Sequence, residues 1–419
     1  MQEQGLGENP AIAAEPQSSR FRQIDLWAVL AAMAVAALLL VLATESQGQT
    51  LTVLHNFDLG NDGGLPYGGV ALDQAGRIYG TTSDGGSFRE GVVYRLVHQG
   101  GGWNLTPLYM FKGSPDAGVP YAPVVFGPDG ALYGMTYYGG TFGAGTVFRL
   151  QPPASACQAA LCPWIETVLY SFTGGSDGGY PGYGALVFDR AGNIYGTAAG
   201  GGTNSNGVVF KLTRSGNSWT QSVLWSFTGG ADGANPYGGV IFDGAGNLYG
   251  TTAYGGQFWG TVYELSPAQS GWTETTLYTI TEQDNGQAIG IAMDPHGNIF
   301  GLTGLDSGAA FELSPSGGNW NFTLMQTFTG AYEGPFDAPT LDPLGNVYGT
   351  STFAGGNGEV FKLTPSNGGW IYTPLHDFDV NDGEIPIGGV TLDANGNLYG
   401  TTSMGGSRVW GTVWEITPN

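Results

Sequence analysis

Residues 238–280 read GGVIFDGAGNLYGTTAYGGQFWGTVYELSPAQSGWTETTLYTI. Four short strand-like runs sit in this stretch, divided by turn signals. The first is Gly238–Asp243. The turn after it starts on Asp, whose carboxylate bonds its own backbone, and closes on Gly, which takes the left-handed position. The second run is NLYGTT, Asn247–Thr252, and the pair Gly255-Gly256 then bends the chain. The third run, ending TVYEL, alternates as a half-buried strand does. The fourth begins at Trp272 and ends eight residues later in the apolar Ile280.

The same unit recurs along the chain. Its aromatic-Gly step stands at Tyr79-Gly80, Tyr133-Gly134, Tyr195-Gly196, Tyr249-Gly250, Phe300-Gly301, Tyr348-Gly349 and Tyr399-Gly400, at spacings of 54, 62, 54, 51, 48 and 51 residues. First runs include GGVALD (Gly68–Asp73), GALVFD (Gly184–Asp189) and GGVTLD (Gly388–Asp393). Third runs include GVVYRL (Gly91–Leu96), GVVFKL (Gly207–Leu212) and GTVWEI (Gly411–Ile416). Four-stranded units of about 50 residues are the signature of propeller blades.

The ends of the array complement each other. Six Trp-led fourth strands follow the repeats, against seven aromatic-Gly steps. QTLTVLHNF, Gln49–Phe57, has the fourth-strand pattern without its Trp, and the chain stops at Asn419 just after a third strand. The N-terminal strand is therefore expected to complete the last blade. An open solenoid would carry polar capping repeats instead. The predicted fold is all-β: a closed seven-bladed β-propeller of four-stranded antiparallel blades over residues 51–419. Closure protects the sheet edges, and a monomer is expected.

The pattern D-x-x-G-N-[LIV]-Y-G-T-T, then G-G, then G-x-V-[FYW]-[KRE]-L, resembles the bacterial tandem-repeat family called GloVer. The resemblance spans Leu51–Asn419 in seven copies. It implies an exported protein whose cell-surface anchoring varies between members, and it implies no common activity. Copy five departs most, with Phe300-Gly301-Leu302-Thr303 followed by Gly304-Leu305-Asp306 where the glycine pair should stand.

Composition agrees with short strands and tight turns. The chain has 75 Gly, 23 Pro and 13% aromatic residues, too aromatic for disorder and without the three-residue glycine period of collagen. Acidic residues outnumber basic ones 34 to 12, for a net charge of −22. Such a surface repels phosphate backbones, which argues against nucleic acid as partner. Solubility alone is the plainer reason for the charge.

Residues 1–25 read as a cytoplasmic leader, with Arg20 and Arg22 before the uncharged run Leu26–Ala43. That run is near the lower limit for a bilayer span and also fits a signal-peptide core. Cleaved signal and retained membrane anchor stay open, and both lead to export. Residues 44–50 form a short linker. Cys157 and Cys162 lie together in one insertion. In an exported chain a local disulfide is expected, with a free thiol pair as the alternative.

Propeller topology brings two loop sets to one face. One is the acidic Gly/Pro loop before each first strand, with Asp62, Asp116, Asp177, Asp232 and Asp382. The other is the glycine-pair loop, decorated by Tyr137, Tyr138, Phe142, Tyr254, Phe258, Trp259 and Trp410. Carboxylates beside exposed aromatics suit a glycan or peptide, because rings stack on apolar sugar faces and carboxylates accept hydroxyl hydrogen bonds. Against this, a repeated Asp before Gly is turn chemistry, and the recurring Pro-Tyr is expected to pack between blades. Trp259 and Trp410 escape the repeat best.

Calcium is a further possibility at Asp58, Asn61 and Asp62, or at Asp379, Asn381 and Asp382, although neither has EF-hand spacing. The four histidines are His55, His98, His296 and His376, spread around the ring. That spread disfavours a metal trio or a Ser-His-Asp set. No HExxH or phosphate loop occurs in the repeats. The charged third-strand position (Arg95, Arg149, Lys211, Glu264, Glu312, Lys362, Glu415) could pair some neighbouring blades, each such surface pair being worth little. The leading expectation is a non-catalytic binding or scaffold protein holding a glycan, peptide or surface partner. A polysaccharide-acting enzyme with channel-mouth carboxylates, or a purely structural surface repeat, are the alternatives.

Overall fold

A computed structural model describes residues 49–153, 164–216, 218–304, 308–328 and 337–418. The run 26–43 and the insertion with Cys157 and Cys162 lie outside these residues, so the export segment and the disulfide expected there are not described. Among the described residues no helix is long and apolar enough to cross a membrane.

Seven four-stranded antiparallel sheets form the blades of a β-propeller. Blade 1 runs Ala71–Leu72, Ile78–Thr82, Val92–Gln99 and Gly102–Met110. The first strand is much shorter than the Gly68–Asp73 run that the sequence suggested. Gly68 and Gly69 approach the next blades too closely to join a ladder: a Cβ on Gly68 would stand 2.7 Å from the Pro123 nitrogen. The carbonyls of this segment are used across blades. Thr81 donates its hydroxyl to Ala122 O at 3.0 Å, Thr197 to Gly238 O at 2.8 Å and Thr251 to Ile289 O at 2.8 Å. The first threonine of the YGTT run is thus an inter-blade clip.

The glycine of that run has its own reason. Gly250 lies directly opposite Tyr263, and a Cβ there would stand 2.6 Å from the tyrosine Cζ. The partner across this glycine is aromatic in every blade: Tyr94, Phe148, Phe210, Tyr263, Phe311, Phe361 and Trp414, all fully buried. Each outer pair also carries a bulge. In blade 1 the register skips Leu108 between Val93 and Tyr94. The extra residue is pushed inward, with Leu108 2% exposed and its counterpart Leu54 7%, and the bulge sharpens the twist a blade needs.

Closure is as the sequence suggested. Thr50–Asn56 pairs antiparallel with Thr412–Thr417 and completes blade 7, with Thr50 opposite Thr417 and Leu51 opposite Ile416. Leu54 and Phe57 of this strand, with Val413 and Tyr399, share one core with Val70, Ile78, Val92 and Tyr94 of blade 1. Blade 5 pairs Gln287–Met293 with Ile299–Gly304, a longer first strand than the two-residue ones of the other blades.

Three of the charged third-strand residues engage side chains of their own blades. Arg149 binds Asp129 at 2.6 Å, and Arg149, Lys211 and Lys362 sit 5.9, 5.2 and 5.8 Å from the rings of Tyr133, Tyr195 and Tyr348. The cross-strand register decides this, since each faces the tyrosine of its own Tyr-Gly step.

Candidate binding site at the channel mouth

The two loop sets do meet on one face. Gly64 N–H donates to Asp84 O at 3.0 Å and Asp84 N–H returns to Gly64 O at 3.2 Å. Ala117–Gly118 pairs with Tyr138–Gly139 in a two-residue ladder, and Gly179 with Gly200, Ala234 with Tyr254 and Glu384 with Met404 form the matching bridges.

The repeated aspartates turn inward to these loops. Asp116 accepts the Tyr109 hydroxyl and the Lys112 N–H, both at 3.0 Å. Asp177 accepts from Tyr170 and Thr173 N–H at 2.8 and 2.9 Å, and Asp232 from the Trp225 indole and Thr228 N–H at 3.3 and 2.9 Å. At Asp62 and Asp382 the ring donor is replaced by His55 and His376, at 2.9 and 2.8 Å. Asp284, which the sequence pattern missed, fills the slot in blade 5 with Tyr278 at 3.2 Å. An aromatic or histidine six or seven residues before the Asp is the signal for this bond. Each carboxylate thus ties the end of a fourth strand to the loop beyond it.

The clusters weighed for calcium are engaged in the same way. Asp58 accepts from Gly60 N–H and Arg408, and Asp379 from Asn381 N–H. Among the described residues no group of three or more His, Cys, Asp or Glu is arranged to hold a metal ion.

Trp259 and Trp410 are half-buried and not the most open aromatics. Trp410 packs on the core shared by blades 7 and 1, and its carbonyl accepts Leu65 N–H at 2.9 Å. Trp259 packs on the core of blades 4 and 5. Both occupy the place just before the glycine that opens the third strand, where loop meets neighbouring blade. The open aromatics are Phe142 (61% exposed), Phe258 (86%), Tyr138, Tyr254, Phe88 and Tyr180.

The Pro-Tyr pair separates into two roles. A Cβ on Gly411 would stand 2.7 Å from Pro66 Cδ, and one on Gly91 2.8 Å from Pro120 Cδ, so proline packs between blades as expected. Before these prolines stand Leu65, Val119, Tyr180, Asn235 and Ile385, all at φ between 53° and 58°. That left-handed conformation is strained for non-glycine residues. It is held by paired bonds such as Val119 N–H to Glu90 O at 2.7 Å and Tyr137 N–H to Val119 O at 3.0 Å.

The tyrosine that follows the proline, directly or in blade 3 after Gly182, goes to the mouth of the channel instead. Tyr67 meets Tyr121 at 5.1 Å between ring centroids, Tyr121 stacks on Tyr183 at 5.4 Å, and Tyr183 meets Tyr237 at 6.3 Å. Tyr137, Tyr138 and Tyr180 extend the cluster outward. A cavity of about 330 Å³ opens here, lined by Tyr121, Tyr137, Tyr138, Tyr183, Tyr237, Tyr254 and Ile289. Burial, then neighbouring tyrosines, push the Tyr121, Tyr183 and Tyr237 phenols upward, so they stay protonated and can donate. Among the described lining residues, blade 5 contributes the aliphatic Ile289. A second cavity of about 110 Å³ shares Tyr183 and Ile289 with the first and continues along Gly184, Gly238, Gly290 and Asp337.

The family described as the Gloeobacter/Verrucomicrobia repeat matches residues 40–182, 164–336 and 260–419. No curated protein matches the sequence. Among solved structures, the extracellular domain of a protein described as a hybrid two-component system, from B. thetaiotaomicron, is 10% identical with a TM-score of 0.52. The match covers 87% of this chain and 39% of that one. A protein described as a 6-phosphogluconolactonase, from Bacteroides uniformis, is 15% identical with a TM-score of 0.48, over 73% and 83% of the two chains. At such identities the likeness is one of fold.

Proposed function

This chain belongs to the Gloeobacter/Verrucomicrobia repeat family, and we propose that it is an exported, non-catalytic binding propeller whose ligand enters the tyrosine-lined channel mouth. One observation carries the reading: tyrosines from blades 2, 3 and 4 converge on a single open cavity of about 330 Å³, within the range of small-molecule sites. Glycine-rich strands need no such wall to fold. Stacking faces and protonated phenols suit a sugar unit, a peptide side chain or the tip of a surface partner. The exposed rim residues Tyr138, Phe142, Tyr254 and Phe258 would extend the contact, with Trp259 and Trp410 supporting the loops beneath. Enzymatic glycoside cleavage ordinarily takes two carboxyl groups flanking one bond. The described lining of the two cavities has one, Asp337, and binding asks for no second. Export rests on the hydrophobic run Leu26–Ala43.

The test is a glycan and peptide array probed with the purified full chain, alongside Tyr121→Ala and Tyr237→Ala. Binding that either substitution weakens supports the mouth as the site. Binding that both variants keep at full strength moves the site elsewhere.

A further inference from the structure

We infer that the ligand presents an aliphatic ammonium group, which Asp337 receives in the channel beneath the tyrosines. The inference rests on the reading of the mouth as the binding site and narrows its ligand.

Asp337 is not repeat chemistry. Its counterparts in the other blades are Gly68, Ala122, Gly184, Gly238, Ile289 and Gly388, all without charge. It accepts the N–H groups of Ala338 and of Gly389 in the next blade, each at 2.7 Å and each on a different carboxyl oxygen. Every oxygen therefore keeps a lone pair for a further donor. Burial raises the carboxyl to about 6, against the pull of those two bonds, so it is largely ionised at neutral pH. No lysine, arginine or histidine lines either cavity, and no ion pair reaches Asp337 among the described residues. The residue keeps part of its surface open although its carboxyl is desolvated, and a desolvated carboxylate without a counter-charge is costly to fold.

The surroundings favour a cation. The 110 Å³ cavity at Asp337 shares Tyr183 and Ile289 as walls with the larger tyrosine-walled one. Tyrosine faces attract ammonium groups. The net charge of −22 concentrates cations near the surface and repels anions. A hydrated divalent metal is a poorer fit, because it asks for six or more oxygens. An amine on a short alkyl stem fits both spaces, with the stem against the rings and the ammonium at the carboxylate.

The test measures binding of hexylamine and of hexanol to the full chain by calorimetry, at neutral pH and moderate salt. The amine is expected to bind more tightly than the alcohol by roughly tenfold or more, and Asp337→Asn to remove that difference. Tyr183→Leu should weaken both. Equal binding of amine and alcohol by the wild type, or no amine binding, overturns the ammonium assignment without recourse to any variant. Retention of the difference in Asp337→Asn also overturns it. If array ligands still depend on Tyr121 and Tyr237, the mouth remains the site for an uncharged ligand.

Discussion

Thr391 of the last blade donates its hydroxyl to the carbonyl of Val70 in the first, at 2.6 Å. Thr340 makes the same bond from blade 6 to Val390 of blade 7, at 2.5 Å. The seam where the two chain ends meet is therefore built like an ordinary contact between consecutive blades. Thr401 repeats the point one strand out, donating to Gly68 O at 3.0 Å.

If the seam is an ordinary contact, its core residues should weigh as much as those elsewhere. Phe57 of the closing strand and Phe111 of blade 1 are both fully buried in inter-blade cores. Phe57→Ala is expected to destabilise by about 3–5 kcal/mol, as Phe111→Ala should. Chemical denaturation of the two variants checks this. A Phe57→Ala cost under about 1 kcal/mol would mean that the N-terminal strand merely decorates blade 7.

The glycine–aromatic pairs give a prediction of opposite sign. Tyr94 and Tyr263 bury hydroxyls that have no hydrogen-bond partner among the described residues, whereas blades 2, 3, 5 and 6 place Phe148, Phe210, Phe311 and Phe361 there. Leaving a hydroxyl unpaired costs about 1–3 kcal/mol. Tyr263→Phe should therefore raise the melting temperature, and Gly250→Ala, which drives a methyl into the same ring, should lower it. A lower melting point for Tyr263→Phe would show that the hydroxyl has a partner after all.

The contrast between fold and site follows from what a repeat can show. The blade is legible because the same physical demands recur: Asp accepts from its turn, Gly admits the facing ring, and Thr clips the next blade. The N-terminal strand was legible through its pattern alone, without its Trp. The mouth was not, because Tyr67, Tyr121, Tyr183 and Tyr237 look like one more repeated turn residue. Only the ring's geometry sends proline between blades and tyrosine to the axis. Asp337 was hidden further, since its counterparts in register are uncharged residues, mostly glycines, the nearest separated from it by about 50 residues of chain. Trp259 and Trp410 stood out in the sequence by size, yet the position before the third strand buries half of each.

The acidic loops should behave as structure. Asp232 is 8% exposed and accepts the Trp225 indole N–H, the Thr228 N–H and the Thr228 hydroxyl. Asp232→Ala strands these donors and is expected to cost about 1–3 kcal/mol. Asp232→Asn keeps one carbonyl acceptor and should cost less. Thermal melts of the two variants, with array binding measured in parallel, separate this role from recognition: a loop that only supports the face should lose stability and keep ligand preference.

Glu166, on the strand Ile165–Ser171, should make stability depend on pH. Burial first, and then the neighbouring Asp116 carboxylate, push its carboxyl up to about 8, with Lys112 opposing. The folded state then holds a proton that the unfolded chain releases near its ordinary value of 4.5. Stability from this group is full below pH 4.5 and is lost as pH rises from there through 8. In blade 3 the matching residue is Gln221, whose amide donates to Asp177 O at 3.0 Å. Glu166→Gln should therefore equal the wild type near pH 5 and exceed it at pH 9. The group is partly solvated, so the gain is about 1–2 kcal/mol, or roughly 2–4 °C in melting temperature. Subtracting the two melting curves at each pH removes the repulsion common to both chains. A difference that does not change between pH 5 and 9 would place the Glu166 carboxyl in water and away from Asp116.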